Sequence, residues 1–317
     1  MNLDELRTPC FIIDEKNLEE NMDEFNNALK KYYPNGVLAY SVKTNSLGYI
    51  LEKVKKRNLY AEVVSYDEYN LVEYIGFKNK VIYNGPLKSK ETFCNAIKNG
   101  AYVNIESFQE IEWLKNINKV GEYHLGIRLN INLNNVSPED AGKNGESRFG
   151  FDYQNGEFME AIERIKKYGF EIKGIHMHRT SATRSLEVYA NECYYVSKII
   201  EQENLNLEYI DIGGGFYGHM QGKPSYEEYI EVIYNNLHVD RNLTLILEPG
   251  NGIIASPVCF MMSIYDSKTI DGKCICLADG SRIDIDPLFH KKFYIYKILS
   301  SYEKKIEEKE QIVTGCT

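Results

Sequence analysis

Four stretches of the sequence place reactive side chains where apolar runs end. The first is Tyr40-Ser41-Val42-Lys43-Thr44-Asn45. A lysine closing an apolar strand can be held away from water, where its pKa falls and its nitrogen can form an imine with an aldehyde cofactor. Taken alone, such a lysine is more often a surface cation whose stem snorkels outward. Gly213-Gly214-Gly215 follows Tyr209-Ile210-Asp211-Ile212. Successive glycines let backbone N–H groups turn toward a phosphate, although a plain turn has the same composition. The spacing is neither that of a Walker loop nor that of a dinucleotide fingerprint. Glu248 precedes Pro249-Gly250. A carboxylate there can keep a proton on a heteroaromatic nitrogen, which makes the ring a stronger electron sink, or it can simply sit at a turn. Finally, Gly174-Ile175-His176-Met177-His178 offers two histidines, each able to stack on a ring, shuttle a proton or fill a structural position.

Something must bring these residues together, and the hydrophobic pattern suggests what. Eight short apolar runs, at 37–43, 61–65, 80–84, 101–105, 123–130, 171–178, 207–213 and 243–248, alternate with amphipathic stretches at 46–56, 66–75, 89–98, 108–114, 157–168, 186–203 and 225–237. Eight β-then-α repeats predict an α/β fold, a (β/α)8 TIM-type barrel rather than an open sheet. The barrel is expected over 26–251. Residues 1–25 and 252–317 fall outside the rhythm, with a short strand at 10–13, a helix at 15–32 and strand-like runs at 253–264, 274–277 and 292–300. They predict a second, β-rich domain assembled from both termini. Barrel active sites form at the C-terminal ends of the strands. Those ends carry Lys43, Glu62 with Ser65, Asn84, Arg128 with Asn130, His176 with His178, Asp211 and Glu248.

Composition removes other classes of function. With 317 residues, 43% of them hydrophobic, the chain has ample core. A net charge of −9 disfavours nucleic acid as a partner. No run of about 18 apolar residues suggests a membrane span, and the N-terminal residues lack the order of a signal peptide, so a cytoplasmic location is expected. The seven cysteines show no CxxC spacing, so neither a disulfide framework nor a metal site is expected.

In order and spacing, the four motifs resemble the fold-type III pyridoxal 5′-phosphate (PLP) decarboxylases, a family that includes ornithine, diaminopimelate and carboxynorspermidine decarboxylases. The resemblance runs from Thr8-Pro9-Cys10-Phe11 to the last residue. It implies an alanine racemase-like barrel, incomplete in its second domain, with PLP as cofactor, an amino acid as substrate and a homodimer with shared active sites. It implies that Lys43 carries the cofactor as a Schiff base and that His178, rather than His176, stacks on the ring. Ser181 and Gly213, Gly214 and Gly215 would meet the phosphate, with Gly250 beside them, and Glu248 the pyridine nitrogen. Glu62, Glu68 and Arg128 would lie near the cofactor. Alanine racemases share the barrel but set an arginine against that nitrogen, so Glu248 favours decarboxylation over racemisation.

Three positions depart from the family pattern. Asn251 stands where an arginine usually grips the phosphate, leaving Arg179 or Arg184 to supply that charge. In the stretch Asp279-Gly280-Ser281-Arg282-Ile283-Asp284-Ile285-Asp286-Pro287, Asp286 occupies the place of an arginine that binds a distal carboxylate. A basic or neutral distal group is therefore expected, with Arg282 and Asp286 as candidate substrate contacts. Lastly, Gly315 aligns with the glycine preceding the family's proton-donating cysteine, and Cys316 falls at a proline position. That suggests a truncated chain. A catalytically impaired relative acting as a protein-binding regulator, a PLP-dependent racemase and a barrel-only PLP-binding protein are the alternatives.

Overall fold

The structure is a computed structural model that describes residues 6–118, 121–132, 147–179, 184–289, 293–299 and 311–315. It divides into two compact units, Lys16–Ser256 and a smaller one made of Met1–Glu15 with Pro257–Thr317. The barrel boundary expected at residue 26 falls inside a helix. That helix, α1 (Glu15–Tyr32), lies almost wholly in the larger unit, because Leu18, Met22, Phe25 and Leu29 form a buried stripe along one face. Phe25 stacks on Tyr226 at 4.3 Å between ring centroids, a contact that no boundary within the helix would respect.

The larger unit is a closed barrel of eight parallel strands. They are β2 (Val37–Ser41), β3 (Tyr60–Ser65), β4 (Val81–Leu87), β5 (Tyr102–Ile105), β6 (His124–Asn130), β8 (Gly174–His176), β9 (Tyr209–Gly213) and β10 (Thr244–Leu247). β10 pairs with β2, and β5 with β6, so no edge is left open. A two-residue strand, β7 (Phe151–Asp152), adds to β6. Helices α2 (Gly48–Lys56), α3 (Tyr66–Ile75), α4 (Lys90–Lys98), α5 (Phe108–Trp113), α6 (Glu157–Lys167), α7 (Leu186–Gln202) and α8 (Tyr226–Asn236) connect the strands. Their starts are written in the sequence. Ser89 with Thr92 and Ser225 with Glu228 form reciprocal capping boxes, and Ser65 accepts from the Glu68 N–H.

The barrel interior is layered. Ala39, Ile82, Tyr209 and Ile246 form an apolar layer against which Tyr60 and Tyr102 pack. Gly126 and Gly174 leave room for the Tyr209 ring. Side chains alternate along a strand, so the residue two positions on from each of these faces the same interior, about 6.6 Å nearer the C-terminal ends. Those eight residues are Ser41, Glu62, Asn84, Asn104, Arg128, His176, Asp211 and Glu248. All are buried. The fold thus lays a polar floor on an apolar plug.

In the smaller unit β1 (Cys10–Ile13) pairs antiparallel with β11 (Val258–Met261), and β12 (Ile264–Ile270), β13 (Lys273–Ala278) and β14 (Gln311–Thr314) make a three-stranded sheet. Two expectations differ from the structure. The expected strand at 253–264 holds from Val258, where β11 begins, but its start is a helical turn of the larger unit, α9 (Asn251–Ile254), which buries Ile253 and Ile254; a short apolar run does not distinguish strand from helix. The expected strand at 292–300 is irregular over its described residues, 293–299, where Phe293, Ile295 and Tyr296 are exposed. Among the described residues no helix is long and apolar enough to cross a membrane, and six cysteines are free thiols.

Candidate active site

Lys43 lies two residues beyond β2, in a 3-10 turn (Val42–Thr44). Its Nζ stands 3.3 Å from both carboxylate oxygens of Glu62. Glu62 also accepts from the Ser41 hydroxyl at 2.6 Å and from Asn84 Nδ2 at 3.4 Å. Burial alone is expected to lower the Lys43 pKa. Burial does act downward, and it is the largest single influence, but the carboxylates of Glu62 and Glu248 together outweigh it, so the pKa is raised. Although nearly half of the Lys43 side-chain surface is accessible, the accessible part faces a walled cleft, which is why burial weighs on the ammonium.

Beneath the lysine the polar floor is bonded across the barrel. Asn84 Nδ2 donates to Glu248 Oε1 at 2.6 Å, and Asn104 Nδ2 donates to Asn84 Oδ1 at 2.8 Å and to Asp211 Oδ2 at 3.1 Å. Tyr209, from the layer below, donates to Asn104 Oδ1 at 2.8 Å. One carboxyl oxygen of Asp211 and one of Glu248 lie within 4.8 Å of each other. Burial raises the pKa of both, and the carboxyls of Asp211 and Glu62 raise that of Glu248 further. Both ring nitrogens of buried His176 lack a partner, and burial, with Arg128 next, keeps that ring neutral. A ring nitrogen of His176 lies within 4.8 Å of the same two carboxyl oxygens.

His178 forms one wall. Gly213, at φ +77°, passes directly behind it, and a Cβ at Gly213 would collide with the imidazole. Burial, Arg128 and Lys43 depress the His178 pKa to about 3, so the imidazole presents a neutral face. Arg128, expected at the cofactor, is committed elsewhere: one guanidinium nitrogen donates to Glu106 Oε1 and another to the His178 carbonyl, each at 2.7 Å. It therefore fixes the histidine's backbone. Glu106 also accepts from the Gly85 N–H at 2.7 Å, and its own N–H donates to Glu110, which pairs with buried Lys88 at 3.3 Å.

Asn104, Ser41, Glu106 and the Lys88–Glu110 pair were not singled out from the sequence. The signal for Asn104 and Ser41 was available, because each stands two residues after a residue of the apolar layer. Ser65 caps α3 and Glu68 accepts from the Val64 N–H at 2.8 Å, so both shape the turn after β3. Ser181 lies outside the described residues.

A cleft of about 380 Å³, open to solvent, is lined by Lys43, His178, Gly214, Gly215, Glu248 and Gly250, together with Arg184 and Asn251. Arg179 instead donates to the Ile131 carbonyl. Of the two arginines offered for the charge missing at Asn251, it is Arg184 that reaches the cleft. Arg282 and Asp286 lie in the smaller unit and engage each other at 3.1 Å, and Tyr294 donates to Asp286 at 2.8 Å.

Residues 16–255 match the family model described as "Pyridoxal-dependent decarboxylase, pyridoxal binding domain". The chain belongs to this family. A protein of Oryza sativa subsp. japonica named "Probable diaminopimelate decarboxylase, chloroplastic" is 27% identical over 292 residues, or 88% of this chain and 59% of its own length. The diaminopimelate decarboxylase of Archaeoglobus fulgidus is 26% identical, over 98% of this chain and 76% of its own. In structure, the diaminopimelate decarboxylase of Helicobacter pylori complexed with L-lysine superposes with a TM-score of 0.81 at 24% identity, covering 99% of this chain and 80% of that one. The arginine decarboxylase of Paramecium bursaria Chlorella virus bound to agmatine also gives 0.81, at 19% identity over 99% and 84% of the two chains. The fold is therefore that of the pyridoxal-dependent decarboxylases.

The family's cofactor is pyridoxal phosphate, and the residues present fit it. The cleft joins an amine, a flat neutral imidazole, a buried carboxyl group and a guanidinium. Its glycine wall has no space for side chains: a Cβ on Gly214 would meet the Glu248 carbonyl, and one on Gly250 the Thr44 hydroxyl. If Arg184 faces the phosphate, Arg184→Ala weakens cofactor binding about 10- to 100-fold, the worth of a charged hydrogen bond, and Arg179→Ala leaves it unchanged. Titration followed by visible absorbance distinguishes the two, and equal affinity for Arg184→Ala and the parent chain would exclude this role.

Proposed function

We propose that this chain decarboxylates an amino acid with bound pyridoxal phosphate, at the C-terminal mouth of the barrel. The observation that supports the reading is that Lys43, His178 and Glu248 share one cleft. The bound cofactor supplies an electron sink for the bond broken at the substrate Cα. The chain's own residues do the rest. Lys43 is the point of attachment, and Glu62, 3.3 Å away, is placed to take the ammonium proton before that nitrogen can act as a nucleophile. His178, backed by Gly213 and held through its carbonyl by Arg128, gives the ring a flat face to pack on. Glu248 holds a proton at the ring nitrogen, which favours loss of carbon dioxide over racemisation.

For the distal group of the substrate we favour a basic or neutral one. Asp286 stands where the resemblance puts an arginine for a distal carboxylate, and neighbouring Arg282 is already engaged by it. A panel of carboxyl-labelled amino acids tests both statements. Labelled carbon dioxide should be released fastest from ornithine, lysine, arginine or a neutral analogue, and more slowly from diaminopimelate. The exposed Phe293, Ile295 and Tyr296 favour a second copy as partner, so the same preparation should sediment at about twice 36.7 kDa. Cofactor held at Lys43 with no release from any member of the panel would favour a relative that works by binding another protein.

A further inference from the structure

The polar floor holds two carboxyl groups where the proposed reaction uses one. Asp211 points at Glu248 from the neighbouring strand, is fully buried, and reaches neither Lys43 nor the cleft wall. Each of its oxygens accepts one hydrogen bond and keeps a second acceptor site: Oδ1 from the Gly213 N–H at 2.9 Å and Oδ2 from Asn104 Nδ2 at 3.1 Å. Glu248 Oε1 accepts from Asn84. Two buried carboxyl groups with oxygens within 4.8 Å of each other favour sharing one proton, since two anions so close in a sealed site repel. The donors aimed at Asp211 stabilise its anion, so the proton belongs on the remaining oxygen of Glu248.

We propose that Asp211 is a positioning residue: by accepting from the Glu248 carboxyl it keeps a proton stored on Glu248, at the floor of the cleft, for delivery to the ring nitrogen of the cofactor. This rests on the functional reading above, which sets that nitrogen beside Glu248. On delivery the Glu248 O–H bond breaks and an N–H bond forms at the ring, with no change in electron count. The charge left on Glu248 is met by the new cation, by the Asn84 amide and by Lys43, which already acts on it. The other charged or titratable groups facing the pair include Glu62 from β3, Arg128 from β6, Tyr209 from β9 and His176 from β8, whose Nε2 lies 3.9 Å from Glu248 Oε2. Burial and Arg128 make His176 a weak base, so it competes poorly for the proton.

An infrared difference spectrum between cofactor-free and cofactor-loaded protein tests this without relying on turnover. Loading should abolish a protonated-carboxyl band, that band should shift when glutamate but not aspartate carries carbon-13, and it should be missing in Glu248→Gln. Glu192, which burial pushes up to about 8, also carries a proton but lies apart from the cleft and cancels in the difference. In Asp211→Asn the amide N–H₂ donates toward Glu248 and favours its anion, so the lost band should disappear from the difference spectrum. Should Asp211→Asn fail to fold, isotope labelling of the parent chain still decides the matter. A band that shifts with labelled aspartate, one that persists in Asp211→Asn, or none lost by the parent chain each overturns the proposal. Failure of the parent chain to take up cofactor, seen as no visible absorbance, overturns the functional reading itself.

Discussion

Lys43→Ala abolishes the borohydride-stable attachment of pyridoxal phosphate and lowers turnover by at least about 10³-fold, within the range that a positioned proton-transfer group alone supplies. The loss is expected to be chemical rather than structural. Lys43 contributes little to folding: its ammonium is bonded to Glu62, and nearly half of its side chain is accessible. After truncation Glu62 keeps the Ser41 hydroxyl at 2.6 Å and the Asn84 amide, so no buried carboxylate is orphaned. Circular dichroism should therefore match the parent chain. Cofactor should still bind without covalent attachment, because the glycine wall and Arg184 are untouched. The charge balance shifts in a definite direction, too. Lys43 is one of the influences that pull the Glu248 pKa down, and without it that carboxyl holds its proton more firmly. Retention of a borohydride-stable label in Lys43→Ala would assign the attachment to another lysine.

Much of this site can be read from the order of residues. Each barrel strand was found from its apolar run, and the polar residue closing it was visible at Lys43, Glu62, Asn84, Arg128, His176, Asp211 and Glu248. The repeating step from an apolar-layer residue to a polar one two positions later was equally visible at Ala39–Ser41 and Tyr102–Asn104, and it follows from the period of a strand. What could not be read is pairing. The family resemblance places Arg128 near the cofactor, yet its guanidinium is used by Glu106 and by the His178 carbonyl, 22 and 50 positions away. The pKa of Lys43 depends on the balance between burial and two carboxylates, and a sequence shows neither term. The tail was misread for a different reason. Residues 253–264 are an apolar run without periodicity, and whether such a run coils or extends is decided by what buries it.

The largest stability effect is expected at Lys88, which takes no part in the proposed chemistry. Its side chain is fully buried, donating to the Gly85 carbonyl at 2.7 Å and pairing with Glu110 at 3.3 Å. Lys88→Met keeps the volume and removes the charge, leaving Glu110 buried beside Glu106. Breaking one half of such a pair costs about 3–5 kcal/mol. Burial already raises the Glu110 pKa, with Lys88 the main influence opposing it, so in the variant the folded-state pKa climbs further above its unfolded value of 4.5. The sign follows from linkage: folding then takes up a proton, so the cost is small in acid, grows as the pH rises through 4.5 and levels off above the raised pKa. Denaturant midpoints measured across pH check this directly. Adding Glu110→Gln removes the stranded charge, and the double variant should recover most of the loss at neutral pH. Simple addition of the two single effects would mean that the pair is not coupled. Because Glu110 accepts from the Glu106 N–H, and Glu106 holds Arg128 on the carbonyl of His178, Lys88→Met should also loosen the histidine wall and weaken cofactor binding, whereas the double variant restores the fold and, with it, that wall.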